Sequence, residues 1–248
     1  MTLITSNVVK GTETRVGRGF LARRYRATDF NVDTSPFLLM DDYVMSAETF
    51  GSHPHHGIST VTMAFEDTVG EVISRDSTGK STPIRAGDLH WTLSGRGIVH
   101  SQEPESAGVV FRGLQIFVDL PKAQKNLPPD SWYVEAGKIP TIEKDGVRVR
   151  VVAGRHDDVQ SPSSTPTPMT ALDVSLTPGS RFDVPLTSGW SALLLVRQGR
   201  IVQANGTGTL TISRDEACTF ILGEKADALS LKAIEKTELV LLMALKLQ

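Results

Sequence analysis

The sequence predicts an all-β protein, and three observations carry that expectation. Apolar runs are short: the longest candidate, Leu239 to Leu245, has the length of a strand. Several stretches alternate apolar and polar residues with the period of two that belongs to a pleated strand, Thr60-Val61-Thr62-Met63-Ala64-Phe65 among them. Glycine, proline, aspartate and serine clusters interrupt these runs at short intervals. Many short strands at such spacing fit a sandwich or barrel better than a helical or parallel-sheet fold.

The elements follow in order. Residues 1–50 give short pieces, Thr14-Arg15-Val16, Leu21 to Tyr25 and Phe37-Leu38-Leu39-Met40, the last leading into Asp41-Asp42. Those two carboxylates read as exposed turn residues, or as groups that orient a nearby histidine. Arg15, Arg18, Arg23, Arg24 and Arg26 form a basic cluster that reads as a solvated strand face. From Ile58 onward β character is continuous: Val69 to Arg75 is strand-like, Asp76 to Lys80 a turn, Leu89 to Leu93 a strand, and Val110 to Val118 a long strand closing the first half. Asp119 to Asp130, ending Leu127-Pro128-Pro129-Asp130, is the best linker candidate, because proline removes ladder donors. The second half repeats the pattern in Val147–Val152, Met169–Val174, Ser191–Val196, Gly208–Ile212 and Leu239–Met243, with Ser161 to Pro168 as an exposed loop. At 248 residues the chain suits two domains of about 120 each, with boundaries at 1–130 and 131–248.

Chemistry concentrates in two stretches, His53-Pro54-His55-His56-Gly57 and Gly95-Arg96-Gly97-Ile98-Val99-His100-Ser101-Gln102-Glu103. Five of the six histidines lie between His53 and His100. On a strand His53 and His55 share a face and His56 turns away; His100 and Gln102 share a face and Glu103 turns away unless a bulge intervenes. Two such pairs on neighbouring strands could close on one divalent ion, and imidazole suits iron, nickel, copper and zinc. His90 reads as a hydrogen-bonded structural histidine and His156 as a surface residue.

These residues resemble the pirin family of the cupin superfamily. The likeness runs through His53-Pro54-His55, Thr60-Val61-Thr62, Arg75-Asp76-Ser77, Gly87-Asp88-Leu89-His90-Trp91 and Gly95 to Ser101, and includes Ser35-Pro36-Phe37-Leu38-Leu39-Met40-Asp41-Asp42. The resemblance implies two tandem cupin-type jelly-roll barrels, the first holding one metal, most simply iron, and the second lacking ligands. It implies His53, His55 and His100 as ligands and Gln102 at the fourth position, where the family has glutamate. An uncharged amide offers an oxygen but cannot act as a base, so Gln102 and Glu103 both stand as candidates for the catalytic position. Pirin-like proteins include dioxygenases that open the flavonol ring of quercetin and metal-dependent regulators that bind partner proteins. Both readings therefore stand: a quercetin 2,3-dioxygenase-type enzyme with a flavonol-like ligand, or a regulatory module with a protein partner.

A net charge of −2 gives no electrostatic case for nucleic-acid binding. No run approaches the roughly 20 apolar residues of a membrane-spanning helix. The start of the chain lacks the basic and apolar regions of a secretory leader. The one cysteine, Cys218, sits in apolar company and reads as an inert buried thiol. A cytoplasmic monomer is the expectation.

Overall fold

The computed structural model describes residues 3–185, 189–203, 209–221 and 228–247. Two short strands come first, β1 (Ile4–Thr5) and β2 (Val9–Lys10). Then follow β3 (Thr12–Val16), β4 (Phe20–Arg26), β5 (Phe37–Met45), β6 (His53–His55), β7 (Ile58–Ala64), β8 (Val72–Asp76), β9 (Ser81–Ile84), β10 (Leu89–Leu93), β11 (Ile98–Pro104), β12 (Phe111–Asp119) and β13 (Asp130–Val134). The remainder holds β14 (Thr141–Lys144), β15 (Val147–Ala153), β16 (Arg155–His156), β17 (Val159–Gln160), β18 (Met169–Leu176), β19 (Arg181–Val184), β20 (Trp190–Gln198), β21 (Arg200–Gln203), β22 (Leu210–Ser213), β23 (Glu216–Ile221), β24 (Leu229–Ala233) and β25 (Thr237–Leu245). Among the described residues the only helical pieces are single 3-10 turns, and no helix is long and apolar enough to cross a membrane. Gly208, the first residue of one expected strand, lies outside the described residues.

Two compact units result. One comprises residues 12–24 and 36–139; the other comprises residues 1–11, 25–35 and 140–248. The first is built of a seven-stranded sheet in the order β13-β10-β7-β12-β5-β4-β3 and a four-stranded sheet β6-β11-β8-β9. The segment after Asp119 stays inside this unit, because β13 pairs with β10, Trp132 opposite Trp91. The second unit has a sheet in the order β1-β23-β20-β25-β18-β15-β14, with β2 also on β23, and a four-stranded sheet β19-β24-β21-β22. Each is an antiparallel double sheet of jelly-roll type, and the sheets stay separate rather than joining into one closed barrel. In each, inward residues of both sheets meet: Phe20, Tyr43 and Phe111 with Val72 and Ile84 in the first, Val151, Leu172 and Leu241 with Phe182 and Ile201 in the second.

The N-terminal strands belong to the second unit. Ile4 lies opposite Ile221 and Val9 opposite Ala217. The Ser6 hydroxyl accepts from the Thr219 amide at 2.9 Å, beside the buried Cys218 thiol, whose pKa burial raises. That raises the barrier to forming a thiolate, as expected for an inert cysteine.

Three expectations need correction. Asp41 is no turn residue: it lies within β5, 5% exposed, because the strand runs on to Met45. His156 is buried rather than on the surface, its ring 5.5 Å from that of Phe182. The Ser161–Pro168 segment is irregular, but Ser161, Ser163 and Thr167 are buried, and Ser161 Oγ donates to the Val152 carbonyl at 2.8 Å.

Candidate metal centre

Strand pairing assembles the histidines. β6 and β11 run antiparallel with His53 opposite His100 and His55 opposite Ile98. Alternation along β6 turns Pro54 outward and sends His53 and His55 to the same side, where His100 joins them from β11. Tight turns make this possible. Gly57, at φ +71°, bends the chain from β6 into β7, and Gly95, at φ +47°, leads into β11. A Cβ at Gly95 would meet the Leu127 carbonyl oxygen at 2.1 Å, so only glycine fits there.

The three rings lie close together, with centroids 4.9 Å apart for His53–His55, 4.7 Å for His53–His100 and 4.9 Å for His55–His100. One ring nitrogen from each lies within 4.8 Å of the others. Burial, helped by His53, lowers the pKa of His55 to about 4. Burial, then the neighbouring histidines, lowers that of His100 to about 3. Both rings are therefore neutral at ordinary pH, the form that donates a lone pair. The His53 tautomer is fixed as well. Its Nδ1 is 3.0 Å from the Gly51 carbonyl oxygen, which can only accept, so Nδ1 carries a proton and Nε2 is the nitrogen left to ligate. Three convergent imidazoles, two of them held neutral by burial and the third with its Nδ1 bonded to a carbonyl, fit a divalent transition metal.

The pocket beside the histidines measures about 120 Å³. Gln102 lines it and Glu103 does not, as alternation along β11 without a bulge requires. Gln102 is held from the opposite sheet, its Nε2 donating to Thr62 Oγ1 at 3.1 Å, and the Thr62 hydroxyl lies 2.9 Å from Gln115 Oε1. His56 lies outside this pocket. His90 is buried, and burial lowers its pKa to about 4; its Nδ1 makes no hydrogen bond among the described residues.

Sequence reasoning missed most of the pocket wall. On the seven-stranded sheet its polar part is Asp41 and Gln115, from a row that runs on past the pocket: Asp41 opposite Gln115, Gln115 opposite Thr62, Thr62 opposite His90. Arg24 ends the row, with Nε 2.8 Å from Asp41 Oδ1 and Nη2 2.6 Å from Oδ2. Arg24 is thus no solvated surface arginine. Phe20, Tyr43, Phe50 and Phe117 supply the aromatic part. Phe20 stacks on Tyr43 at 5.1 Å and meets Phe50 edge-on at 4.8 Å. Burial, then nearby Asp41, pushes the Tyr43 phenol well above its ordinary pKa, so it stays neutral. The i, i+2 spacing of Asp41, Tyr43 and Met45 signals a shared face, but only strand pairing tells which face looks inward.

Two jelly-roll units, with three imidazoles converging in one of them, define a cupin-type protein with a candidate metal centre. The chain belongs to the pirin family. The pirin family model matches residues 5–118. A pirin-like protein of Arabidopsis thaliana is 42% identical over 66% of this chain and 53% of its own length. A putative pirin-like protein of the same plant is 31% identical over 77% of this chain and 69% of its own. The chain thus spans only about half to two thirds of these relatives. A solved structure of quercetin 2,3-dioxygenase from Acinetobacter baumannii superposes with a TM-score of 0.85 at 27% identity, covering 99% of this chain and 88% of that one.

Proposed function

We propose that this protein holds one iron ion through His53, His55, His100 and the Gln102 amide oxygen, and that the site oxidises a flavonol with dioxygen. The observation that carries this reading is the cluster of three convergent imidazoles opening onto an aromatic pocket. The 27% identity to a quercetin 2,3-dioxygenase supports the substrate class.

A bound divalent metal would supply positive charge and open positions for oxygen ligands. The chain's own residues set the rest. His53, His55 and His100 bring no anion. Gln102, fixed by Thr62, adds a neutral oxygen and can take no proton. Asp41 is the carboxylate that lines the pocket, but both its oxygens accept from Arg24. The flavonol hydroxyl proton therefore has no base on the pocket wall and leaves to water before the ligand binds. The aromatic rings exclude water around the bound ligand and orient its flat face.

A second reading has its own support. Gln102, in place of a carboxylate, removes the obvious base, which favours a metal-holding regulator that binds a partner protein. Oxygen uptake by the iron-loaded protein on quercetin separates the two. Uptake that rises with pH as the flavonol ionises supports the enzyme; no uptake in fully loaded protein at any pH sinks it and leaves the regulator.

A further inference from the structure

We propose that Arg24, held in place by Asp41, selects the ligand of this pocket by donating a hydrogen bond to an oxygen other than those at the histidines. The inference rests on the reading of the pocket as a metal-held flavonol site.

Three observations lead there. First, Arg24 and Asp41 line the same pocket as His53, His55 and His100. The bidentate pair engages Nε and Nη2, so the two N–H groups of Nη1 are not taken by Asp41. The carboxylate thereby fixes the guanidinium plane, and a fixed donor reads an oxygen more selectively than a mobile one.

Second, the fold does not call for an ion pair at this position. Burying two charges costs desolvation that their attraction rarely exceeds, compared with apolar side chains of similar size. The other unit fills the inward face of its larger sheet with Val149, Val151, Leu172, Val174, Leu239 and Leu241. A pair with side-chain exposures of 23% and 7% in the wall of a cavity is better explained by what the cavity takes up.

Third, the remaining wall describes the ligand. Phe50 is 43% exposed although it packs edge-on to Phe20, as suits a ring that covers a flat molecule. The three imidazoles and the Gln102 amide carry no negative charge, and Arg24 and Asp41 cancel. The ligand that fits is a planar aromatic that brings ionised oxygens to the histidines and carries one further acceptor oxygen, a phenol or phenolate, for Arg24.

The test uses the iron-loaded protein and three probes: 3-hydroxyflavone, which has only the chelating hydroxy-ketone, and its two derivatives with one more phenol on the fused ring or on the pendant ring. Affinities come from absorbance titration. One derivative should bind about tenfold tighter than 3-hydroxyflavone, the worth of one charge-assisted hydrogen bond. In Arg24→Met that ratio should fall to parity. Because this variant leaves the Asp41 carboxylate unpaired in a buried wall, which destabilises the fold, Arg24→Met/Asp41→Leu, which removes both charges, is measured beside it. A preference that persists in the folded double variant overturns the proposal. So does parity among the three probes in wild type while all of them bind. Failure of every probe to bind the loaded wild type overturns the flavonol reading of the site, and this inference with it.

Discussion

The inward faces of the two large sheets can be compared strand by strand. In the second unit, one row across four strands reads Val149, Val174, Leu239, Val196, and the next reads Val151, Leu172, Leu241, Leu194, ending on Cys218. Its buried ion pair, Arg150 with Asp173 at 3.2 Å, alternates out of that face. In the first unit the corresponding feature is Asp41, Gln115, Thr62, His90, extended by Arg24 and facing the three histidines. The same antiparallel architecture therefore tolerates either filling. The apolar rows contribute burial, at roughly 25 cal/mol per Å². The polar row is held by the bonds of Arg24 to Asp41 and of Thr62 to Gln115, and its Asp41 and Gln115 line a pocket. The first unit keeps an apolar core of its own and carries the pocket beside it.

The sharpest break of that comparison exchanges the expected losses. His55→Ala or His100→Ala should abolish metal retention while the circular dichroism spectrum persists. Leu241→Ala should retain metal but lose about 2–5 kcal/mol of stability. Metal analysis and denaturant melts decide; a His100→Ala variant that is unfolded where metal-free wild type is folded would make that histidine a core residue.

The next largest effect concerns Gln102→Glu. A carboxylate on the pocket face binds a divalent metal more tightly than an amide and is a base within reach of a bound hydroxyl. General-base help is worth about 10²–10⁴-fold in rate. Oxygen uptake should rise accordingly and lose its dependence on flavonol ionisation; an unchanged rate with raised metal affinity would remove the enzyme reading.

His90 supplies a smaller effect. Its folded pKa of about 4 lies below the unperturbed value of about 6.5. The unfolded chain takes up this proton as pH falls through about 6.5 and the folded protein only near 4, so stability is lost across that window. The loss is at most about 3 kcal/mol. His90→Gln should flatten the pH dependence of metal-free protein there; an identical slope would locate the sensitivity elsewhere. The smallest effect belongs to Glu103→Gln. Glu103 does not line the pocket, so metal content and uptake should match wild type. Loss of either would mean that β11 bulges after His100 in the loaded protein.

What the sequence made legible follows from local rules. Period-two alternation pointed to strands, and applied to His53, His55, His100 and Gln102 it put each of them on the face found. The rest depended on pairing between distant strands, which leaves no local mark. Asp41 followed by Asp42 resembles a turn in composition, yet β5 continues because Tyr43 and Met45 are buried beyond it. Arg24 sits among arginines that do face solvent, and only its partner on β5 distinguishes it. His156 stands among charged residues, but its hairpin folds the ring onto Phe182.

The pairing of β1 and β2 with β23 bears on how the chain is made. These strands leave the ribosome early, while their partner, Glu216–Ile221, is still unsynthesised. At about 5–20 residues per second they wait on the order of 10–40 s with unpaired backbone. During that interval the whole first unit, residues 12–24 and 36–139, has been translated and can close around its histidines. The two-residue length of β1 and β2 limits the edge they offer to other nascent chains, and Lys10 adds a charge to it. The second unit, by contrast, is finished only when β25 arrives to lie between β18 and β20.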